Sequence, residues 1–152
     1  MIRLSTEPFE PGAELTAFCA GRTESGAVAS FVGIARADAG QTTALELEAY
    51  PGFTEVEIGR TAETASERFS LHDVLIVHRH GQIAPGEPIV LVVAASAHRG
   101  EAFAAAEMLM DYLKTRAPFW KRARGVDGST EDWVEPKGDD DRSAARWEAG
   151  AR

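Results

Sequence analysis

Lys114, Arg116, Lys121 and Arg122 crowd four cationic groups around the apolar wedge Pro118-Phe119-Trp120. Lysines held near one another and beside aromatic rings lose favour for the ammonium form, through like charge and desolvation. Such a lysine works as a nucleophile or proton donor near neutral pH. Pro118 lies between Lys114 and Lys121, so the two cannot share one helix face, and a bend must bring them together. The plain alternative is a solvated helix end, where the helix dipole favours lysine anyway. An exposed Phe119-Trp120 pair argues for a binding surface instead.

A second group, His98-Arg99-Gly100, stands where an apolar strand passes into a helix. A helix N-terminus offers free N–H groups and partial positive charge, so His and Arg there make a pocket for phosphate or carboxylate. The alternative is an ordinary cap and a solvated first-turn arginine. Arg36 follows Gly33-Ile34-Ala35 at a strand end and either joins that pocket or opens a loop. His78-Arg79-His80 sets two imidazoles on one strand face, but no carboxylate or cysteine motif accompanies them, and no metal site is expected. Cys19, among Leu15, Phe18 and Ala20, is expected to be a buried, inert thiol. No phosphate-binding loop, nucleophile elbow or dinucleotide fingerprint occurs.

The elements that must position these residues follow from hydrophobic periodicity. Strands are expected at Ile2–Ser5, Gly26–Ala35, Thr43–Tyr50 and His72–His80. Pro88–Ala97, nearly all apolar, reads as a central strand buried on both faces. Helices are expected at Ala13–Ala20, at Thr54–Phe69 with the stripe Ile58, Ala62, Ala65 and Phe69, and at Arg99–Thr115 with the stripe Phe103, Ala106, Met110 and Leu113. The segment from Gly81 to Glu87 reads as a turn. Phe119–Arg122 returns as a strand and Asp132–Glu135 as a last edge strand, with a short helix around Trp147. Few helices and several hairpin-linked strands give an α+β, two-layer α/β domain with a mixed, mostly antiparallel sheet and about three main helices. The 152 residues form one domain, with a flexible loop near 124–131 and a charged tail over 137–152.

The chain is 44% hydrophobic and 26% charged, with net charge −8. That balance excludes a disordered chain and disfavours nucleic acid and anionic membranes as partners. No apolar run reaches the roughly 20 residues that span a bilayer. One cysteine excludes an intrachain disulfide framework, and a cytoplasmic protein is expected.

Nearly the whole chain resembles the catalytic (large) subunit of molybdopterin synthase. The resemblance is carried by Phe31-Val32-Gly33 with Arg36, Leu45–Tyr50, Val77-His78-Arg79 with Gly81 and Pro85-Gly86, and Ala97-His98-Arg99 with Ala102-Phe103. It continues through Met110–Lys121 and Trp133-Val134-Glu135. The block from Ala97 to Lys121 is the most specific.

The resemblance implies an α/β hammerhead fold and a sulfur transfer that converts cyclic pyranopterin monophosphate to molybdopterin by forming its dithiolene. Sulfur arrives as a thiocarboxylate on the C-terminal Gly-Gly of a small ubiquitin-like subunit, and two large subunits form the homodimeric core of a heterotetramer. No cofactor is implied. Lys121 matches the principal catalytic lysine, acting on the acyl intermediate or as proton donor, and Lys114 a second that orients the reactants. Arg36, His98 and Arg99 match residues that bind phosphate and pterin, and Lys137 a basic residue contributed across the dimer. Phe53 stands where many relatives carry methionine. The competing readings are a non-catalytic module for a ubiquitin-like tail and a metal-independent phosphoester hydrolase.

Overall fold

The computed structural model describes residues 1–36, 42–50, 52–129 and 138–149. Strand β1 (Ile2–Ser5) leads to helix α1 (Pro11–Cys19), then strands β2 (Ala27–Ile34) and β3 (Thr42–Ala49). Helix α2 (Phe53–Phe69) is followed by β4 (Asp73–Arg79), β5 (Gly81–Ile83) and β6 (Pro88–Ser96). Helix α3 (Arg99–Thr115), strand β7 (Phe119–Gly125) and helix α4 (Gly138–Ala149) complete the order. The α+β class is as expected, but the strands divide into two sheets. A four-stranded sheet has the order β1-β4-β6-β2, with β1 parallel to β4 and the other pairs antiparallel. A three-stranded antiparallel sheet has the order β5-β3-β7. Among the described residues the three main helices expected, α1, α2 and α3, are joined by α4, the short helix foreseen around Trp147.

Alternation of side chains explains the double burial of β4 and β6. Val74, Ile76, Val90 and Val92 point to a core shared with Ile58, Ala62 and Ala65 of α2 and Ala102, Ala106, Leu109 and Leu113 of α3. Leu75, Val77, Leu91 and Val93 point to the opposite face, where Phe9 and α1 residues Leu15 and Phe18 cover them. A third cluster, Ala35, Leu45, Leu47 and Ile83, joins the small sheet to the large one. Truncating a fully buried member such as Ile76 to Ala costs about 2–5 kcal/mol.

Several expectations are corrected. Residues 81–83, read as part of a turn, form β5, because Gln82 pairs with Glu46 across a partner distant in sequence. Phe103 is 66% exposed and not part of the inner stripe of α3. The stripe is instead Ala102, Ala105, Ala106, Leu109 and Leu113, whose small members let the helix lie close on the sheet. Phe103 sits a helical step of about 100° from Ala102 and faces away. Cys19 is exposed, not buried. Helix α1 has no fully buried residue and touches the sheet through Leu15 and Phe18, so the next position turns to solvent. Residues 124 and 125, assigned to a loop, end β7. The expected edge strand at Asp132–Glu135 lies outside the described residues.

Helix α4 is fixed to α3 and α2 by polar and aromatic contacts. Asp111 accepts Trp147 Nε1–H at 2.7 Å and Arg146 at 2.8 Å. The Trp147 ring meets Phe69 edge-on at 6.0 Å.

Candidate active site

Helix α3 ends with Lys114 exposed in its last turn. The N–H groups of Arg116 and Ala117 both donate to Tyr112 O, at 2.8 and 3.1 Å. Pro118 then ends the helix. The bend is tied to the start of α2: buried Thr54 donates its hydroxyl to Pro118 O at 3.3 Å and accepts the Tyr50 N–H at 3.0 Å. The chain leaves this bend as β7, antiparallel to β3.

Register decides what β7 presents. Phe119, Lys121 and Ala123 lie opposite Ala49, Leu47 and Leu45, so they share the face that buries Leu45 and Leu47. Trp120 and Arg122 lie opposite Glu48 and Glu46 on the other face. The sequence expectation of one cationic cluster wrapped around an exposed aromatic pair is therefore split. Arg122 donates to Glu46 at 2.9 Å and Arg124 donates to the same oxygen at 3.2 Å. The Arg122 bond, aided by Arg124, holds the Glu46 carboxyl below its ordinary range. Trp120 is 48% exposed on that outer face. Phe119 turns inward and stacks on His78, with ring centroids 4.0 Å apart and planes at 16°. Lys121 keeps company with Phe119, not with Trp120.

His78 is buried, and its Nδ1 lies 2.8 Å from Arg79 O. Burial pushes its pKa down to about 4. A neutral ring with one nitrogen engaged by a backbone carbonyl is a structural wedge between the sheets. His80 lies beyond the end of β4, and its N–H donates to Ser5 O at 3.0 Å. Among the described residues no group of three or more His, Cys, Asp or Glu is placed to hold a metal.

Arg36 and the His98-Arg99 pair occupy opposite ends of the large sheet. Arg36 follows the end of β2, where Ile34 pairs with Pro88. His98 and Arg99 follow the end of β6, where Ser96 pairs with Ala27. The seven residue steps between those ends span roughly 23 Å. Helix α3 starts at the His98 end, capped by His98 without a side-chain hydrogen bond, and runs back over the sheet. Its rise of roughly 22 Å returns Lys114 to the Arg36 end. The stack of Phe119 on His78, which pairs with Val90, fixes β7 at that same end. One chain thus gathers Arg36, Lys114 and Lys121, all exposed, and leaves His98 and Arg99 remote. Lys137 lies outside the described residues. A cleft of about 450 Å³ between α2 and the β1–β4 edge is lined by residues that include Gly59, Glu63, His72 and Asp73, and holds none of these groups.

Sequence reasoning missed Glu46, His78–Phe119 and Thr54 as parts of this framework. Strict alternation already put Glu46 on the outer face of β3, but its guanidinium partners follow only from the β3–β7 register.

The profile of the family described as "MoaE protein" matches residues 4–116. The molybdopterin synthase catalytic subunit of Caulobacter vibrioides is 56% identical over 151 residues, covering 99% of each chain. The solved structure of the molybdopterin biosynthesis MoaE protein from Burkholderia ambifaria superposes with a TM-score of 0.81 at 44% identity, covering 97% of both chains. The crystal structure of molybdopterin synthase from Staphylococcus aureus matches with a TM-score of 0.77 at 28% identity, over 87% of this chain and 95% of that one. With a single fold, one family profile and relatives alike over almost their full length, the chain belongs to the MoaE protein family.

Proposed function

We infer that this chain is the catalytic subunit of a molybdopterin synthase, installing dithiolene sulfurs into cyclic pyranopterin monophosphate from a thiocarboxylated, small ubiquitin-like partner. The observation that carries the reading at residue level is the convergence of Lys114, Lys121 and Arg36 at one end of the sheet. Lys121 lies on the inner face of the small sheet beside Phe119. There it acts on the acyl intermediate or donates the proton that the displaced group requires. Lys114 orients the incoming thiocarboxylate, and Arg36 binds the substrate phosphate as a charge-assisted donor. Both lysines are exposed in the isolated chain, so the small subunit's tail and the substrate complete the exclusion of water. A Gly-Gly tail has no side chains and suits a narrow approach to them.

His98 and Arg99 join this site when a second copy supplies them. Among the described residues strand β2 is an edge of the large sheet, with exposed Val28, Phe31, Val32 and Ile34 on its two faces. Such an edge calls for cover. Two copies meeting there about a two-fold axis run β2 against β2, so the Ala27 end of one faces the Ile34 end of the other. His98 and Arg99 of each copy then come to the Arg36 end of its mate. Lys137 is assigned to substrate binding by family resemblance alone. The chain's sole thiol, Cys19, is exposed at the end of α1, and the assignment of the transferred sulfur to the partner's thiocarboxylate follows the family resemblance. We place the enzyme in the cytoplasm, with a homodimeric core inside a heterotetramer.

The test mixes purified chain with thiocarboxylated small subunit and cyclic pyranopterin monophosphate and measures dithiolene product. Product formation supports the reading. Binding of the small subunit without turnover points to a binding module, and phosphate release without sulfur transfer to a hydrolase.

A further inference from the structure

Arg79 ends β4, and its side chain is only 4% exposed. A buried guanidinium needs a counter-charge. Its Nη1 donates to Glu87 Oε2 at 2.8 Å, and that oxygen also accepts the Ala84 N–H at 3.0 Å. Among the described residues Arg79 Nε is buried without a hydrogen-bond partner, and Nη1 adds only a longer contact to Pro88 O at 3.5 Å, so Glu87 supplies the counter-charge.

The carboxylate closes a turn. Glu87 N–H donates to Ala84 O at 3.1 Å, Pro85 holds the second position, and Gly86 has φ +89°. This is the type II pattern, in which the third residue needs a left-handed conformation that glycine adopts without strain. The turn faces the end of β2. Ala35 N–H donates to Glu87 O at 2.9 Å, and Gly86 N–H donates to Ala35 O at 2.7 Å. The β2–β6 register shifts at Gly33/Ile34, so the turn takes over from the ladder as the support of this segment. Ala35 is buried, and the next residue is the exposed Arg36.

We propose that the Arg79–Glu87 pair is a positioning device for substrate binding: it rigidifies the Ala84–Glu87 turn, which clasps Ala35 on both sides and thereby aims Arg36. The inference rests on the reading of Arg36 as a substrate-binding residue. Neither Arg79 nor Glu87 touches substrate. Their role is to fix the peptide from which Arg36 projects, so that its guanidinium is held where the phosphate arrives.

The experiment is a double-mutant cycle on the full complex with thiocarboxylated small subunit, measuring KM and kcat for cyclic pyranopterin monophosphate. Glu87→Gln retains the shape and removes the charge. It should raise KM by about tenfold or more, as expected for misplacing a binding group, and leave small-subunit affinity unchanged. In the Arg36→Ala background the same change should add nothing, because the group it positions is gone. Amide exchange at Ala35 should accelerate in Glu87→Gln relative to the interior of β2. If the Gln variant does not fold, Glu87→Asp, which keeps the charge one methylene short, should reproduce the KM effect. An equal KM penalty in both backgrounds would mean that Glu87 acts on the fold at large and would overturn the proposal. A full Arg36→Ala penalty beside wild-type kinetics for Glu87→Gln or Glu87→Asp would overturn it too. Wild-type KM in Arg36→Ala would instead refute the reading of Arg36.

Discussion

Acidification should charge His78 and loosen the seam on which Lys121 depends. The ring is buried, stacks on Phe119 and has Nδ1 at 2.8 Å from Arg79 O. A carbonyl oxygen only accepts, so the neutral ring carries its proton on Nδ1. Burial lowers the pKa from 6.5 to about 4; the Arg79 carbonyl opposes this and the charge of nearby His80 adds to it. The folded pKa therefore lies below the unfolded one, and the unfolded chain takes up the proton first. Stability from this group is complete above about pH 6.5 and is lost as pH falls towards 4. At 1.36 kcal/mol per unit the loss is about 3 kcal/mol, a large share of a small domain's stability. The perturbation that isolates it is His78→Phe, which keeps a ring on Phe119 and cannot charge. It should cost a pH-independent offset of about 1 kcal/mol for the lost hydrogen bond. Urea unfolding of both proteins between pH 7.5 and 4 gives the difference curve. Carboxylates such as Glu46 and Glu87, held low by Arg122 and Arg79, lose their stabilisation at the acid end in both proteins and cancel. The wild type should start ahead and lose its lead by about pH 5. A flat difference across the range would show that the ring is solvated or already charged in the fold, and the seam argument would fail.

Lys121→Ala should abolish product formation with fold and dimer intact; general acid–base groups contribute about 10²–10⁴-fold, so retention of more than about a tenth of the rate contradicts its role. Arg99→Ala should weaken substrate binding more than small-subunit binding in calorimetric titrations, and unchanged substrate affinity with a lost partner would reassign that pocket. Arg36→Ala and Arg99→Ala should each be strongly impaired at low substrate concentration while still turning over at saturation, yet mixed dimers formed from the two should regain activity at low substrate, because one of their two sites draws Arg36 and Arg99 from undamaged copies. Failure of reconstituted mixed dimers to regain activity at low substrate would place all the groups of one site in one chain. Light scattering should find a dimer at micromolar concentration, and Ile34→Glu, at a residue 58% exposed on β2, should shift it to monomer. An unshifted dimer would move the interface elsewhere.

Local pattern made the elements legible. Leu45 and Leu47 alternate with Glu46 and Glu48, Ile58, Ala62 and Ala65 recur at helical spacing, and the apolar run of β6 needs cover on both faces. These periodicities are properties of a few consecutive residues, and the structure keeps them. The stop at Pro118 is local as well, since a proline ring restricts the residue before it. The types and spacing of Lys114, Lys121, His98 and Arg99 marked the segments on which the proposed chemistry rests.

What those residues face was decided only in three dimensions. Strand pairing is non-local, so residues 81–83 became a strand through Leu45–Leu47, and the seven strands of the described residues parted into two sheets. Register placed Lys121 with Phe119 and gave Arg122 to Glu46, although all of them are close in sequence. The antiparallel β2–β6 pair sent Arg36 and His98-Arg99 to opposite ends, a separation invisible in a linear list of cations. Cys19 and Phe103 turned outward because α1 and α3 rest on other stripes than their apolar content suggested. A sequence specifies the period of each element from its own side chains. Which face is covered, and which charge meets which, depends on the neighbour that arrives from elsewhere in the chain.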